Sequence, residues 1–522
     1  MNEETAAPEW RPAANPWLIA MAAMLATFME VLDSAVANVS LPHIAGSLSA
    51  TSEEATWVLT SYLVSNAIIL PATGWLGSRF GRKRFLLACI ALFTLSSVAC
   101  GAAINLSTLI LARVVQGAGG GALQPISQAV LLESFPQQRR GVAMGIFAMG
   151  VVVAPIIGPT LGGWITDSYS WRWIFYINLP IGLLAILMVR AFVEDPPYLN
   201  RGTESGIDYV GFAMLALWLA TLQVILDKGQ EADWFSATWI RWFSAVSATA
   251  FVGFVIREFR AQEPVVNLRV LTDRNFATGT ALITVLGFLL YANNAMLPLF
   301  LQTLLDYPAL QSGLAVSPRG LGAIAATLVI GRLVGFLDTR LLIAFGLGLL
   351  ALSARMLSQL DLVIAMRNVV WPSIINGFGT AVIFVPLTVV ATATLGKEQI
   401  GNATGLYNLM RNIGGSVGIS IATTLLARRA QVHQATLVSH VTPYSPAAQQ
   451  RLLTLERLFA TRAGPVDAAR QALAALYATV VKQATLLAFL DVFRLLAILA
   501  LLCFPLVLLL KKAKPQGPIV VD

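Results

Sequence analysis

The stretch Gly74-Trp75-Leu76-Gly77-Ser78-Arg79-Phe80-Gly81-Arg82-Lys83-Arg84 decides the architecture of this chain. One apolar run of about twenty residues ends at Leu76 and another begins at Phe85, each long enough for a helix to cross a bilayer. Eight residues lie between them, four of them Lys or Arg. So short and basic a connection turns the chain around at a membrane surface, on the cytoplasmic side by the positive-inside bias. Gly77 and Gly81 are expected to supply the tight turn and the close approach of neighbouring helices.

The rest of the chain agrees. Its 522 residues are 57% hydrophobic and 12% charged, with a mean hydropathy of +0.73. A soluble chain so composed would expose very large apolar patches. A net charge of +8 would suggest a nucleic-acid partner in a soluble protein, but here the basic residues sit in short loops between apolar runs. The N-terminus is acidic (Glu3, Glu4, Glu9) and the first apolar run is long enough to span, so no cleavable leader is expected. Cys89, Cys100 and Cys503 fall inside apolar runs, which suggests neither disulfides nor a metal site. His43, His433 and His440 show no metal-ligand spacing, and no phosphate-cradling Gly-x-x-x-x-Gly-Lys-Ser/Thr loop occurs. An enzyme, a bound cofactor and a nucleotide-driven pump are all disfavoured. Energy then has to come from an ion gradient, worth about 2.3 kcal/mol per charge across 100 mV.

The pattern predicts an all-α polytopic membrane protein of fourteen helices, at about 17–39, 57–76, 85–104, 108–132, 141–165, 173–193, 208–226, 238–256, 276–300, 314–335, 341–357, 370–395, 400–427 and 484–510. It is organised as a cytoplasmic tail (1–16), a six-helix bundle (17–193), an inserted helix pair (208–256), a second six-helix bundle (276–510) and a second cytoplasmic tail (511–522). Placing 74–84 inside puts both termini in the cytoplasm. The other short loops support this: inward ones hold Arg139, Arg140, Arg190, Arg201, Arg257, Arg260, Arg269, Arg274, Arg340 and Lys397, outward ones only Arg172, Lys228 and Arg367. The outward loop 428–483 is basic but long, and its stretch 449–479 reads as helical, so a folded external loop is expected. Gly331-Arg332-Leu333-Val334-Gly335-Phe336-Leu337-Asp338-Thr339-Arg340 sits between spans ten and eleven as 74–84 sits between two and three. Such internal repetition, with binding at the midplane between halves, marks transporters.

An ionisable group inside a membrane helix costs about 2.5–3.5 kcal/mol on insertion scales and is a functional candidate by default. Span one carries Glu30 and Asp33 one turn apart, on one face. Asp33 reads as a proton acceptor, or as half of a fixed ion pair, most simply with Arg113 of span four. Glu30 reads as a second titrating site, as a charge attractive to cations, or as a carboxylate facing water. Arg113, followed by Gln116 and Gly117, either tunes the proton site or is structural. Gln116, Asn293, Asn294, Asn376, Asn408 and Arg411 are candidate substrate-cavity groups, and the asparagines serve equally well as bridges between helices. Asp491 and Arg494 near the end of span fourteen read as interfacial.

Span five holds Gly150-Val151-Val152-Val153-Ala154-Pro155-Ile156-Ile157-Gly158-Pro159-Thr160-Leu161-Gly162-Gly163. Pro155 and Pro159 free backbone carbonyls and permit bending. Gly150, Ala154, Gly158 and Gly162 form a small-residue stripe at i+4 spacing. With the run Gly117-Ala118-Gly119-Gly120-Gly121 in span four, the stripe suggests a rocking interface between bundles.

Together these segments resemble the major facilitator superfamily, and within it the fourteen-helix drug:proton antiporters of the EmrB/QacA type, over essentially the whole length. The stretch 74–84 resembles the family's loop motif between helices two and three, and Arg113-Val114-Val115-Gln116-Gly117 its helix-four motif. The run 154–163 resembles the helix-five motif associated with antiporters. Leu32-Asp33-Ser34-Ala35-Val36-Ala37-Asn38-Val39-Ser40-Leu41-Pro42 resembles the helix-one motif of the fourteen-helix branch, and Ser317-Pro318-Arg319-Gly320 its helix-ten counterpart. The resemblance implies a major facilitator fold (6 + 2 + 6 helices) in the inner membrane and efflux of lipophilic, often cationic compounds in exchange for protons. It implies proton coupling through Asp33 and Arg113. It also implies gating by the loop that holds Gly74, Gly77, Arg79, Gly81 and Arg82, and conformational roles for Gly150, Pro155, Gly158, Pro159, Gly162 and Gly163. One departure stands out: Ser78 occupies a position where the superfamily often has an acid that helps lock the inner gate. The lock here is expected to be weaker or built differently. The long outward loop resembles EmrB, which suggests a periplasmic adaptor and an outer-membrane channel as partners. Alternative readings are an exporter of an endogenous metabolite, fatty acid or siderophore and, more remotely, a membrane sensor or scaffold without transport.

Overall fold

The computed structural model describes residues 12–136, 139–196, 208–262, 264–333, 337–461 and 464–511. The N-terminal residues 1–11, Arg201, residues 334–336 of the second hairpin and the tail 512–522 lie outside the described residues. Regular structure is helical throughout the described chain. In order come α1 Pro16–Ser47, α2 Ser52–Ala55, α3 Trp57–Phe80, α4 Arg82–Gly101, α5 Leu106–Gly120, α6 Leu123–Ser134 and α7 Arg140–Ser168. Then follow α8 Trp173–Tyr176, α9 Asn178–Phe192, α10 Tyr209–Lys228, α11 Thr238–Arg260, α12 Arg274–Leu304, α13 Ala309–Val316 and α14 Pro318–Leu333. The last are α15 Thr339–Leu357, α16 Arg367–Thr392, α17 Ile400–His440, α18 Pro446–Ala460, α19 Pro465–Leu502 and α20 Phe504–Leu508.

Thirteen helices among the described residues are long and apolar enough to cross a membrane. The remaining expected span, 400–427, falls in α17, whose membrane portion carries Asn408, Arg411, Asn412 and Ser416. That polarity is tolerated because α17 is enclosed, packing on α12 and α19 on one side and on α3 and α6 on the other. Helix starts follow local chemistry. The Asn15 side chain accepts from Trp17 N ahead of Pro16, and Asp273 accepts from Phe276 N at 2.8 Å to cap α12. Asp208 caps α10 through Gly211 N and also accepts from Arg257 Nε, which closes the end of the α10–α11 hairpin.

Helices α1 and α3–α9 pack mainly on one another, as do α12 and α14–α19. The two groups meet where α3 and α6 touch α17 and where α7 touches α13, α14 and α16. The α10–α11 pair leans on α3 and α17. At one end Asp227 accepts from Thr60, and Lys228 donates to Thr56 and, at 2.8 Å, to Glu231. Within 449–479, residues 449–460 are helical in α18 and 465–479 in α19.

The decisive hairpin is tighter than the eight-residue loop the sequence suggests. Helix α3 runs to Phe80 and α4 begins at Arg82, so Gly81 alone makes the turn, with φ +82°. A side chain there would be strained, and its Cβ would also fall 2.7 Å from Asp195 Oδ2. Gly77 lies within α3, where an added Cβ would meet Arg82 Cγ at an ordinary 3.8 Å, so neither turning nor close approach requires it. The close approach belongs to Gly74: a Cβ there would meet Asn402 N at 2.5 Å. Helices α3 and α17 thus touch backbone to backbone at the basic end of the molecule.

Candidate functional site

Glu30 and Asp33 both point into the interior from α1, at 6% and 2% exposure, each into a separate set of donors. Asp33 Oδ2 accepts from Arg113 Nη1 at 2.6 Å, and its Oδ1 accepts from Gln116 Nε2 at 2.9 Å and from Asn178 Nδ2 at 2.7 Å. Arg113 also donates to Gln116 Oε1 at 2.7 Å and through Nε to Val58 O at 3.0 Å. Its guanidinium lies over the Tyr62 ring, 4.2 Å from the centroid. The ion pair of Asp33 with Arg113 is therefore present in this structure. Charge-assisted bonds of this length are strong and directional in a dry interior.

Glu30 has no cation bonded to it among the described residues. Its Oε1 accepts from Tyr62 OH and Asn66 Nδ2, both at 3.2 Å, and its Oε2 accepts from Gln124 Nε2 at 2.6 Å. The Gln124 carbonyl in turn accepts from Arg411 Nη2 of α17. One turn along α6, Gln128 Oε1 accepts from Asn408 Nδ2 at 2.6 Å. Two glutamines of the first helix group thus hold two polar residues of the second across their boundary. This enclosure excludes the reading of Glu30 as a carboxylate facing water.

The remaining sequence candidates sort by position. Asn293 and Asn376 are buried and line one small cavity with Leu289, Leu290, Leu350, Ala354, Thr380 and Leu496, all in the second helix group. Asn294 is half-buried on α12. Gln116 belongs to the Asp33 cluster and Arg411 to the Glu30 cluster. Asp491 accepts from Arg429 Nε at 2.6 Å, His433 Nε2 at 2.8 Å and Arg494 Nη1 at 3.1 Å, tying α19 to α17.

The small-residue stripe of α7 packs elsewhere than expected. A Cβ on Gly150 would meet Met24 Cγ at 3.0 Å, on Gly158 it would strike Ala35, and on Gly162 it would meet Val36 Cγ1 at 2.8 Å. All three neighbours are on α1, inside the first helix group. Gly117, Gly119 and Gly121 likewise face Tyr62, Ser65, Phe93 and Asn66 of α3 and α4. Both glycine runs therefore bring helices of one group together rather than forming the boundary between groups. That boundary uses a different face of α7, where Gly145 meets Thr327 and Thr160 meets Gly313. Helix α7 runs through Pro155 and Pro159 without a break, and Gly163 has only a 4.0 Å neighbour in Val39.

At the basic end, Arg82 pairs with Glu133 of α6, both side chains almost fully enclosed. Lys83 N donates to Asp195 Oδ1 at 2.8 Å, and Lys83 Nζ donates to Arg190 O at 2.8 Å. Ser78, exposed, donates only to Trp75 O of its own helix. The acids that meet the basic residues after Gly81 come from other segments, Glu133 and Asp195. Neither was singled out in the sequence, nor were Tyr62, Asn66, Gln124, Gln128 and Asn178. A polar residue within an apolar run is the one signal that marks Asn66, Gln124, Gln128 and Asn178.

Charged and amide side chains sealed between membrane helices, bridging two helix groups, define a polytopic membrane transporter rather than an enzyme. The chain belongs to the Major Facilitator Superfamily, whose profile matches residues 23–419. It is 39% identical to the multidrug export protein EmrB of Haemophilus influenzae over 434 residues, covering 83% of this chain and 84% of that one. Identity to the multidrug export protein EmrB of Escherichia coli K12 is 38%, covering 85% and 87%. The fatty acid resistance protein FarB of Neisseria gonorrhoeae is 37% identical, covering 84% and 86%. Among solved structures the human organic anion transporter MFSD10 shares the fold, with a TM-score of 0.58 at 14% identity, over 93% of this chain and 99% of that one.

Proposed function

We propose that this protein is an inner-membrane exporter that exchanges lipophilic, often cationic compounds for protons by alternating access, with both termini in the cytoplasm. The observation that carries the reading is the sealed pair of carboxylates on α1. Asp33 is bound to Arg113, while Glu30 is held by neutral donors that lead through Gln124 to Arg411. A buried charge without compensation is costly, so protonating Asp33 frees Arg113 to seek new partners and changes which helix packing is favoured. Glu30 gains or loses a proton without stranding a directly bonded cation, and its negative charge suits a cationic cargo. Protons entering from the outer face would discharge cargo there, and their release inward would reset the site. No cofactor beyond the coupling proton is required. Similarity to the EmrB multidrug export proteins supports the cargo class.

Two further elements belong to the proposal. The Arg82–Glu133 pair and the Gly74–Asn402 contact would close the cytoplasmic gate. The outer lobe formed by the end of α17, α18 and the start of α19, with α18 burying no residue, offers a surface for a periplasmic adaptor leading to an outer-membrane channel. Similarity to FarB favours a second reading in which the cargo is a fatty acid.

The test is dye efflux from proteoliposomes under an imposed pH gradient, comparing wild type with Asp33→Asn. Gradient-driven efflux in wild type, abolished in a variant that still inserts and folds, is expected. Undiminished efflux in Asp33→Asn would sink the assignment of Asp33.

A further inference from the structure

Three arginines lie deep in the membrane interior away from the basic end: Arg113, Arg319 and Arg411, exposed by 0%, 3% and 2%. Arg113 has Asp33, and Arg411 reaches Glu30 through Gln124. Arg319 has nothing. Its Nε and Nη2 are buried without a hydrogen-bond partner, and no described residue forms an ion pair with it. The helices packed against α14 explain why: α13 and α16 contain no acidic residue, and α7 has only Asp167, at its exposed end beside His43. The depth is also fixed. On either side of Arg319, Gly313 of α13 meets Thr160 and Thr327 of α14 meets Gly145 of α7, so Arg319 lies about midway along the contact of α7 with α13 and α14. Helices α14 and α16 approach backbone to backbone here: a Cβ on Gly377 of α16 would strike Arg319 O and fall 2.8 Å from Arg319 Cγ, so the stem lies against α16.

An unpaired guanidinium at mid-membrane is among the most costly groups a helix bundle can hold. Its planar fork of donors matches a carboxylate in two-point contact. We propose that Arg319 anchors the anionic headgroup of cargo, so that the exporter accepts amphiphiles bearing a carboxylate as well as cations. The inference rests on the exporter reading for its physiological use, but the site itself is a matter of binding. Carboxylate cargo restores the charge balance that the protein leaves open, at a place distinct from Glu30. Cationic and anionic amphiphiles then engage different side chains, Glu30 and Arg319.

The experiment measures binding of radiolabelled decanoate and of decyltrimethylammonium, a cation of matched chain, to purified protein in a non-ionic detergent. Arg319→Gln is expected to weaken decanoate binding about tenfold or more, the scale of a lost charge-assisted bond, while decyltrimethylammonium stays within about twofold. Arg319→Lys keeps the charge but loses the fork and is expected to fall between. If Arg319→Gln fails to fold, Arg319→Lys carries the test, since it keeps a cation and a long stem at this position and is expected to weaken decanoate selectively. Equal decanoate affinity in wild type and these variants, or parallel loss for both ligands, overturns the proposal, as does absence of saturable decanoate binding to wild type. Proton-driven efflux of decyltrimethylammonium is measured in parallel. Its absence would count against the exporter reading while Arg319-dependent decanoate binding still stood.

Discussion

Glu30 of α1 and Arg411 of α17 are joined through a single side chain: Gln124 donates to the carboxylate at 2.6 Å and accepts from the guanidinium. The amide spans the boundary between the two helix groups and satisfies one charge in each. Removing it breaks both bonds at once. Gln124→Leu is expected to destabilise the protein by about 2–6 kcal/mol, since each of the two buried groups left without its partner costs roughly 1–3 kcal/mol. Transport under a pH gradient should fall with it. A thermal midpoint equal to wild type would show that the relay contributes nothing to holding the halves together.

The pair Arg82–Glu133 leads to a second prediction. Both side chains are nearly fully enclosed, so Arg82→Ala strands Glu133 and should cost about 3–5 kcal/mol locally. The consequence is read at the basic end, where Thr73 lines a small cavity with Gly74, Gly77, Arg82 and Gly401. All three native cysteines are buried, so a cysteine introduced at Thr73 can be followed in an otherwise native chain. Its labelling by a membrane-impermeant maleimide should be slow alone and faster when combined with Arg82→Ala. Identical rates would remove this pair from the gate.

Close packing of α7 on α1 supplies a third. Gly162→Leu forces atoms into Val36, and overpacking of this kind costs about 1–3 kcal/mol. Gly163→Ala, next along the chain, has 4.0 Å of room and should be neutral. Melting of the two variants in detergent separates them, and a tolerant Gly162 would mean that α1 and α7 are free to part.

A fourth concerns the ion pair itself. Asp33→Asn leaves Arg113 charged and sealed, whereas Asp33→Asn with Arg113→Gln removes both charges. The double variant should be the more stable of the two, because an isolated buried charge is worse than none. Neither should couple efflux to protons. Calorimetry or dye-based melting ranks them, and a double variant less stable than the single one would contradict the argument.

Much of this molecule is written in its hydropathy. Long apolar runs have few alternatives in a membrane, and ionisable residues within them are so costly that Glu30, Asp33, Arg113 and Arg411 declare themselves. Who meets whom is another matter. Asp33 finds Arg113 because few cations exist at that depth, but the choice of Gln124 as bridge depends on how α6 is rotated after the break at 121–122, which periodicity does not specify. The α7 stripe shows the same limit. Its spacing announces a close neighbour, yet only assembly reveals that the neighbour is α1 rather than the opposite half. Glu133 escaped notice because it sits at the end of its helix, where an acid looks ordinary, and only the position of Arg82 gives it meaning.

Helix α17 spans 41 residues from Ile400 to His440, about 60 Å at the rise of an α-helix, roughly twice the hydrocarbon thickness. Its inner part touches α3 and α6, and its outer part is bound to α19 by Asp491 and by the Gln434–Tyr477 contact at 2.9 Å. A tilt of about 10° at the gate would carry the far end some 10 Å sideways, since about 60 Å of helix separates the two. Spin labels at Arg451 and Asp167 would register that swing as a distance that changes with the imposed gradient, and a fixed distance would deny it. The outer lobe is then a pointer on a shaft whose bearing is the gate, and whatever docks on it is told which way the transporter faces.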